Sequence, residues 1–203
     1  MLMTTALHPY KKGVAVISFN GEPYKEFSVA IFGKNPSFPT SDSLEEFEQA
    51  FREMEFKFAY IYCIRRLAAM TYFSLHLKDK LIEKAIDPST AEEVIQKCLK
   101  EGYLNDDEWI ASFIKSQLRK KNGPAAIAAK LQSKGVGSHQ FKPILDNLAP
   151  EETQMEQIQT LLDTKYRNSD VNDFQAKQKL IGALSRKGFK ISIINRVLEG
   201  EYL

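Results

Sequence analysis

Residues 109–145 carry Lys115, Arg119, Lys120, Lys121, Lys130, Lys134 and Lys142 and not one acid. Residues 176–196 repeat the theme with Lys177, Lys179, Arg186, Lys187, Lys190 and Arg196, a net of +6. Ammonium and guanidinium groups strung along a chain this way can neutralise successive phosphates of a polyanion, with salt-dependent affinity and little sequence preference. The opposite charge gathers at 41–56, where Asp42, Glu45, Glu46, Glu48, Glu53 and Glu55 face Arg52 alone, a net of −5. The whole chain is only +2 over 203 residues, so it is the distribution, not the total, that points to a polyanion. The acidic run is read as a solvated helix face, with contact to basic loops of a partner as its functional reading.

Chemistry of other kinds finds no foothold. His8, His76 and His139 are scattered, without Cys or acidic companions at metal-ligand spacing. There is no phosphate-cradling Gly-x-x-x-x-Gly-Lys-Ser/Thr loop, no Gly-x-Gly-x-x-Gly turn, and no nucleophile–base set with local support. Asp106, Asp107 and Glu108 fit the first turn of a helix, where negative charge is stabilised. No catalytic, cofactor-binding or metal-ligating residue is therefore expected. Tyr103 and Trp109 could stack on a base; Leu104 and Ile110 beside them are core-like, which favours packing of repeat on repeat.

The elements that position the basic residues are helices. A 43% apolar and 27% charged composition is that of a globular chain. Residues 1–12 read as a loose end. Two β-rich runs in 13–33 flank Asn20-Gly21, a hairpin signal, with Pro23 weakening the start of the second strand and an edge expected at 27–32. A loop follows at 34–43. From Leu44 the pattern is helical: Phe47, Phe51, Met54, Phe58, Ile61 and Leu67 recur at three- and four-residue steps as core. Further helices are predicted around 74–85, 88–100, 106–121, 124–134, 138–148, 152–166, 171–187 and 190–199. Cys63 and Cys98 fall in apolar helical patterns and read as small buried hydrophobes of a reducing compartment. No run approaches the length needed to span a membrane, and the N-terminus lacks the apolar stretch of a signal peptide, so a cytoplasmic protein is expected.

One phrase recurs. LIEKAI (81–86), LQSKGV (131–136) and LSRKGF (184–189) each place an apolar residue near a helix end, a lysine in the last turn, and a residue poised to turn the chain. Gly135 and Gly188 suit the left-handed position there, and Val136 and Phe189 can fold back onto the preceding turn. Ala85 replaces the glycine in the first copy. A left-handed alanine costs roughly 1–2 kcal/mol, so the expectation is a helix running on by one residue or stopped by Asp87-Pro88. Eight and nine residues after each phrase's last position come apolar pairs: Val94-Ile95, Ile144-Leu145 and Val197-Leu198. Each unit is thus three helices, the second and third joined tightly, and Lys84, Lys134 and Lys187 occupy equivalent positions. The helix macrodipole alone favours such lysines by about 0.3–1 kcal/mol, so the surface reading rests on them together with Arg119–Lys121 and Arg186.

The stretch GYLNDDEWIASFIKSQLRKKNGPAAIAAKLQSKGV (102–136) resembles the signature of the RecX family, regulators of the RecA recombinase. Gly102-Tyr103-Leu104-Asn105-Asp106, Arg119-Lys120-Lys121, Gly123-Pro124 and Leu131…Lys134-Gly135-Val136 carry the likeness, and QKLIGALSRKGF (178–189) is similar to the family's C-terminal repeat. Where members often carry Arg-x-x-Ser-x-x-Glu-Leu, this chain has Met70, Phe73, His76 and Leu77; where an arginine is common, Gln117 stands. The resemblance implies an all-α protein in the main: three tandem three-helix repeats forming an elongated curved array, preceded by a small N-terminal β-hairpin. The segments are then 1–43, 44–101, 102–149 and 150–203.

It further implies a monomeric, non-enzymatic regulator of homologous recombination and DNA repair. Such a protein lies in the groove of RecA–DNA filaments, inhibits RecA, and binds single- and double-stranded DNA weakly and non-specifically. No membrane and no cofactor enter. The residues expected to face filament or nucleic acid are Lys84, Lys115, Arg119, Lys120, Lys121, Lys130, Lys134, Lys177, Arg186 and Lys187. The alternatives are a generic helical nucleic-acid-binding module without RecA dependence, and a protein scaffold using the hairpin edge at 27–32.

Overall fold

The computed structural model describes residues 2–169 and 173–200. The first two residues of the helix expected at 171–187, and the chain end after residue 200, lie outside the described residues. Two compact units emerge, one through Asp106 and one from Asp107 onward.

The first unit opens with a sheet of three antiparallel strands in sequence order, β1 (Met3–Leu7), β2 (Val14–Phe19) and β3 (Glu22–Ser28). Residues 1–12 are therefore not simply a loose end. Met3 pairs with Phe19 and Leu7 with Ala15, and the Leu2 amide donates to Asn20 Oδ1 at 3.0 Å. The expected hairpin forms at Asn20-Gly21, both with positive φ (51° and 89°), as a two-residue turn matched to strand twist requires. Pro23 does disturb β3. Register slips between Ile17 and Ser18, a bulge that absorbs a residue where proline cannot donate to the ladder. The edge expected at 27–32 is corrected. β3 ends at Ser28, and Val29–Phe32 form a short helix, α1, that buries Ile31 and Phe32.

Three longer helices follow: α2 (Leu44–Leu67), α3 (Ser74–Ile82) and α4 (Pro88–Lys100). Ser43 caps α2 through the Glu46 amide, and Asp87 caps α4 ahead of Pro88. Phe47 and Phe51 project into an aromatic core with Phe27, Phe32 and Phe38; Phe32 stacks on Phe51 at 5.6 Å. Met54, Phe58, Ile61 and Leu67 are only half-buried. Cys63 and Cys98 are free and buried in this core. The adjacent Cys98 thiol, then burial, pushes the Cys63 thiol well above its ordinary range.

Glu55 departs from the solvated acidic face expected for 41–56. It is 0% exposed, between α2 and the first turn of α4, and neither carboxylate oxygen has a hydrogen-bond partner. Burial raises its pKa, with Thr90 and Lys25 offsetting only part. The N-terminus of α3 is capped from afar: Asp106 accepts from the Ser74 amide at 2.7 Å and from its hydroxyl at 2.6 Å. Asp106 thus serves a helix other than the one it begins.

The second unit consists of α5 (Asp106–Arg119, from its second residue), α6 (Pro124–Gln132), α7 (Ser138–Leu148), α8 (Glu151–Asp163), α9 (Phe174–Arg186) and α10 (Ile191–Leu198). Ile110, Ile114, Ile127, Leu131, Phe141 and Leu145 are buried along α5–α7. Ile158, Leu180, Leu184, Phe189, Ile193 and Ile194 form the core of α8–α10.

The recurring phrase builds one object three times. After α3, α6 and α9, Ile86, Val136 and Phe189 donate their amides back to Leu81, Leu131 and Leu184 at 3.1, 3.1 and 3.3 Å. Ala85, Gly135 and Gly188 donate to Ile82, Gln132 and Ser185. This is the Schellman motif, with both partners of its apolar contact buried. Ala85 follows neither expected route: at φ 56° it takes the left-handed conformation in place of glycine.

Candidate nucleic-acid interface

The basic residues of the second unit are organised by a contact between two glycines. Gly123, just before α6, donates its amide to the Lys187 carbonyl at 2.7 Å, and Ala125 donates to the Gly188 carbonyl at 3.1 Å. The exposed amides at the start of α6 are thereby matched to carbonyls at the end of α9. No side chain fits between. A Cβ on Gly123 would lie 2.4 Å from the Gly188 carbonyl carbon, and one on Gly188 would lie 2.3 Å from the Ala126 nitrogen.

Around this joint the positive charges collect. α5 ends in its own Schellman turn, with Lys121 at φ 55° and the Asn122 amide returning to the Gln117 carbonyl. Lys187 reaches over from the end of α9 and donates from Nζ to the Lys121 carbonyl at 3.0 Å. A cation there satisfies a helix-end carbonyl and suits the negative end of the α5 dipole. Lys130 donates from Nζ to Oε1 of Gln117 at 2.8 Å, and Asn122 donates to the same oxygen at 2.9 Å. Burial first, then the charges of Lys165 and Lys130, hold the Lys187 pKa below its ordinary value. Lys120, Lys121, Lys130, Lys165 and Lys187 thus share one neighbourhood, with Arg119 and Arg186 adjoining them in the chain.

The other expected residues lie elsewhere. Lys115 is exposed on α5. Lys134 is exposed with Nζ 5.8 Å from the Phe113 ring centroid. Lys177 is half-buried near the start of α9. Lys84 belongs to the first unit, its Nζ 5.9 Å from the Tyr62 ring. Among the described residues, none of Lys115, Arg119, Lys120, Lys121, Lys130, Lys177, Arg186 or Lys187 forms an ion pair with a carboxylate. Such a surface can attract an anion without first breaking internal pairs.

One residue of this region escaped the sequence reading, and a second was noted there only as standing where an arginine is common. Lys165 follows a helix end with no recurring phrase to mark it. Gln117 is 6% exposed and gathers Lys130 and Asn122, a role its position in an apolar stripe does not advertise. Tyr103, expected to pack, is 53% exposed, while Trp109 stacks on Phe113 at 5.5 Å. Among the described residues no group of histidines, cysteines and acids could hold a metal ion, and no helix is long and apolar enough to cross a membrane.

Comparison with known proteins agrees with this architecture. Residues 152–198 match the family model described as RecX, third three-helix domain. Regulatory protein RecX of Bacillus mycoides is 32% identical over 143 residues, covering 70% of this chain and 53% of that protein. The Bacillus cytotoxicus regulatory protein RecX is 32% identical over 141 residues, covering 66% of this chain and 52% of that protein. The chain spans about half the length of these curated relatives. A crystal structure of regulatory protein RecX superposes with a TM-score of 0.67 at 20% identity, covering 98% of this chain and 100% of that one. RecX from Lactobacillus salivarius gives 0.67 at 20% identity, covering 74% and 97%. The last two likenesses speak for the fold alone. Predominantly helical, with a small antiparallel sheet at its start, the chain is similar in sequence to RecX regulatory proteins over about 70% of its length, and it ends in a segment that matches the RecX third three-helix domain.

Proposed function

We propose that this protein is a non-enzymatic regulator that binds in the groove of RecA–DNA filaments and inhibits RecA, modulating homologous recombination and DNA repair. The repeats at 44–101, 102–149 and 150–203 would supply successive contacts along the filament. The observation that carries this reading is the carboxylate-free cluster about the Gly123–Gly188 joint. Its lysines and arginines form no ion pair with a carboxylate among the described residues, and a filament of protein on DNA is a repeating polyanion to which they can turn.

The structure also tells which residues to change. Lys187 and Lys130 hold helices together, so reversing them would confound folding with binding. Arg119, Lys120 and Arg186 are exposed. The triple variant Arg119→Glu, Lys120→Glu, Arg186→Glu is expected to keep the helical circular dichroism and lose inhibition of RecA-dependent ATP hydrolysis. Undiminished inhibition would sink the assignment. A generic nucleic-acid-binding module would instead bind bare single-stranded DNA as tightly as a preformed RecA filament at one fixed salt concentration.

A further inference from the structure

The first unit pairs its cations with acids at several places. Lys11 meets Glu26, Arg52 meets Glu93, Lys78 meets Glu92 and Lys97 meets Glu101. Other cations of this unit have no carboxylate partner among the described residues, and two of them, Arg66 and Lys84, are neighbours on one aromatic ring. Arg66, late in α2, donates from Nε and Nη2 to the Tyr72 hydroxyl at 3.0 and 2.6 Å, and from Nη1 to the Tyr62 hydroxyl at 3.2 Å. Its guanidinium carbon lies 5.5 Å from the Tyr62 ring centroid and 5.4 Å from that of Tyr72. Lys84 brings a second charge to the same Tyr62 ring, at 5.9 Å. Neither cation pairs with a carboxylate among the described residues.

This arrangement orients charge without cancelling it. Phenol oxygens fix the guanidinium plane by accepting its hydrogen bonds, whereas a carboxylate in their place would also cancel its charge. A guanidinium has five N–H donors. Three hydrogen bonds to phenols leave two donors and the whole charge for a ligand, in the fork geometry that suits phosphate. Tyr72 is 8% exposed and anchors the group, while Tyr62, Arg66 and Lys84 are half-exposed and reachable.

The pairing of a cation with an aromatic ring recurs, with the Lys84 spacing kept in the second repeat and not in the third. Lys84 stands 22 residues after Tyr62, and Lys134 stands 21 after Phe113 with Nζ 5.8 Å from that ring. In the third repeat Lys165, the chain neighbour of Tyr166, lies 5.3 Å from its ring, while Lys187 turns to the Lys121 carbonyl. A cation hung on an aromatic in each repeat fits a ligand whose charge repeats, which favours a phosphodiester chain over an acidic protein patch. Resting on the function proposed above, we propose that Tyr62, Arg66, Tyr72 and Lys84 form a phosphate site that takes a backbone phosphodiester of nucleic acid.

The test is a titration of the full chain against a fluorescein-labelled oligothymidylate across a series of potassium chloride concentrations, read by anisotropy. Arg66→Gln with Lys84→Gln is expected to weaken binding roughly tenfold and to make the slope of log affinity against log salt shallower by about 1 for each phosphate no longer neutralised. Lys84→Gln alone, which disturbs no hydrogen bond of the core, is expected to show about half of that slope change with an unaltered unfolding midpoint. The control Lys57→Gln with Lys100→Gln removes the same charge from exposed positions of the same unit and is expected to leave the slope within about half a unit of the parent.

Equal losses in the control and the cluster variant would reduce the site to net charge and overturn the proposal. So would an unchanged slope, or a loss confined to binding of poly-glutamate. If the Arg119/Lys120/Arg186 variant loses inhibition of RecA while the Arg66/Lys84 variant binds nucleic acid normally, this site falls and the proposed function stands. If inhibition survives in the triple variant while the Arg66/Lys84 slope change is found, the reverse holds.

Discussion

Ala85 and Glu55 show what single residues conceal in a sequence. The first recurring phrase lacks the glycine of the other two, and a different helix ending is the economical expectation. The chain instead holds the same hydrogen bonds and accepts a left-handed alanine, because Leu81 and Ile86 are buried together and fix the turn. Ala85→Gly is expected to stabilise the protein by about 1 kcal/mol, measured as a higher urea midpoint at constant slope. Glu55 carries the helical period of a core residue inside an acidic run, so charge counting alone assigns it to solvent. Its pKa lies above the ordinary 4.5 because burial disfavours the anion. A raised carboxyl pKa means that the folded state favours the proton. Stability is greatest below the unfolded-state value and is lost as pH rises from there through the folded value. Glu55→Gln is expected to stabilise by about 1–3 kcal/mol near neutrality, with the advantage fading as pH falls toward 4. An advantage independent of pH would contradict this account.

At the scale of elements, the helices are readable because their ends are written in residue types with one conformational meaning: Asp87-Pro88, Gly123-Pro124, Gly135 and Gly188 each mark a boundary that the structure keeps. β1 is not readable. Its five residues, MTTAL, are half-buried at Met3 and exposed thereafter, so no alternation announces a strand that exists only by pairing with β2. The Asp106 cap is equally hidden, since its partner is 32 residues away. Neither can a positive-φ glycine be distinguished by sequence from one that is also a contact surface. Gly102 and Gly188 both have left-handed φ, 77° and 92°, but a Cβ meets nothing within 4 Å at Gly102 and meets backbone at Gly188. Gly102→Ala is expected to cost about 1 kcal/mol, the conformational penalty alone. Gly188→Ala is expected to cost more than about 3 kcal/mol by forcing α6 and α9 apart. Similar losses in a side-by-side denaturation series would show that the joint yields.

For the molecule as a whole, the uneven charge is plain in the sequence, and the structure adds where it is concentrated. In the acidic stretch Glu48 accepts from the neutral Tyr24 hydroxyl, and Arg52, its lone cation, pairs with Glu93 outside it, whereas the lysines about the Gly123–Gly188 joint repel one another. Raising salt from about 0.05 M to about 0.5 M shortens the screening length from roughly 14 Å to roughly 4 Å. Stability of the protein is therefore expected to rise with chloride over that range, and to rise less in Lys165→Gln; a decrease would mean that attractive pairs dominate. The order of helices and the family likeness are legible from recurring phrases because those phrases are local. The cation cluster is legible only as a set of residue types, since its members come from α5, α6, α9 and the segment after α8, and only backbone packing brings them together.

The pairing of α6 with α9 through two main-chain amides makes the protein its own gauge. Gly123 and Ala125 give their protons to carbonyls 63 to 64 positions away in the chain. Deuterium can replace those protons only when the last helices swing clear, whatever the rest of the fold is doing. Their uptake rate, followed residue by residue with and without a bound strand, would time the opening of that joint directly.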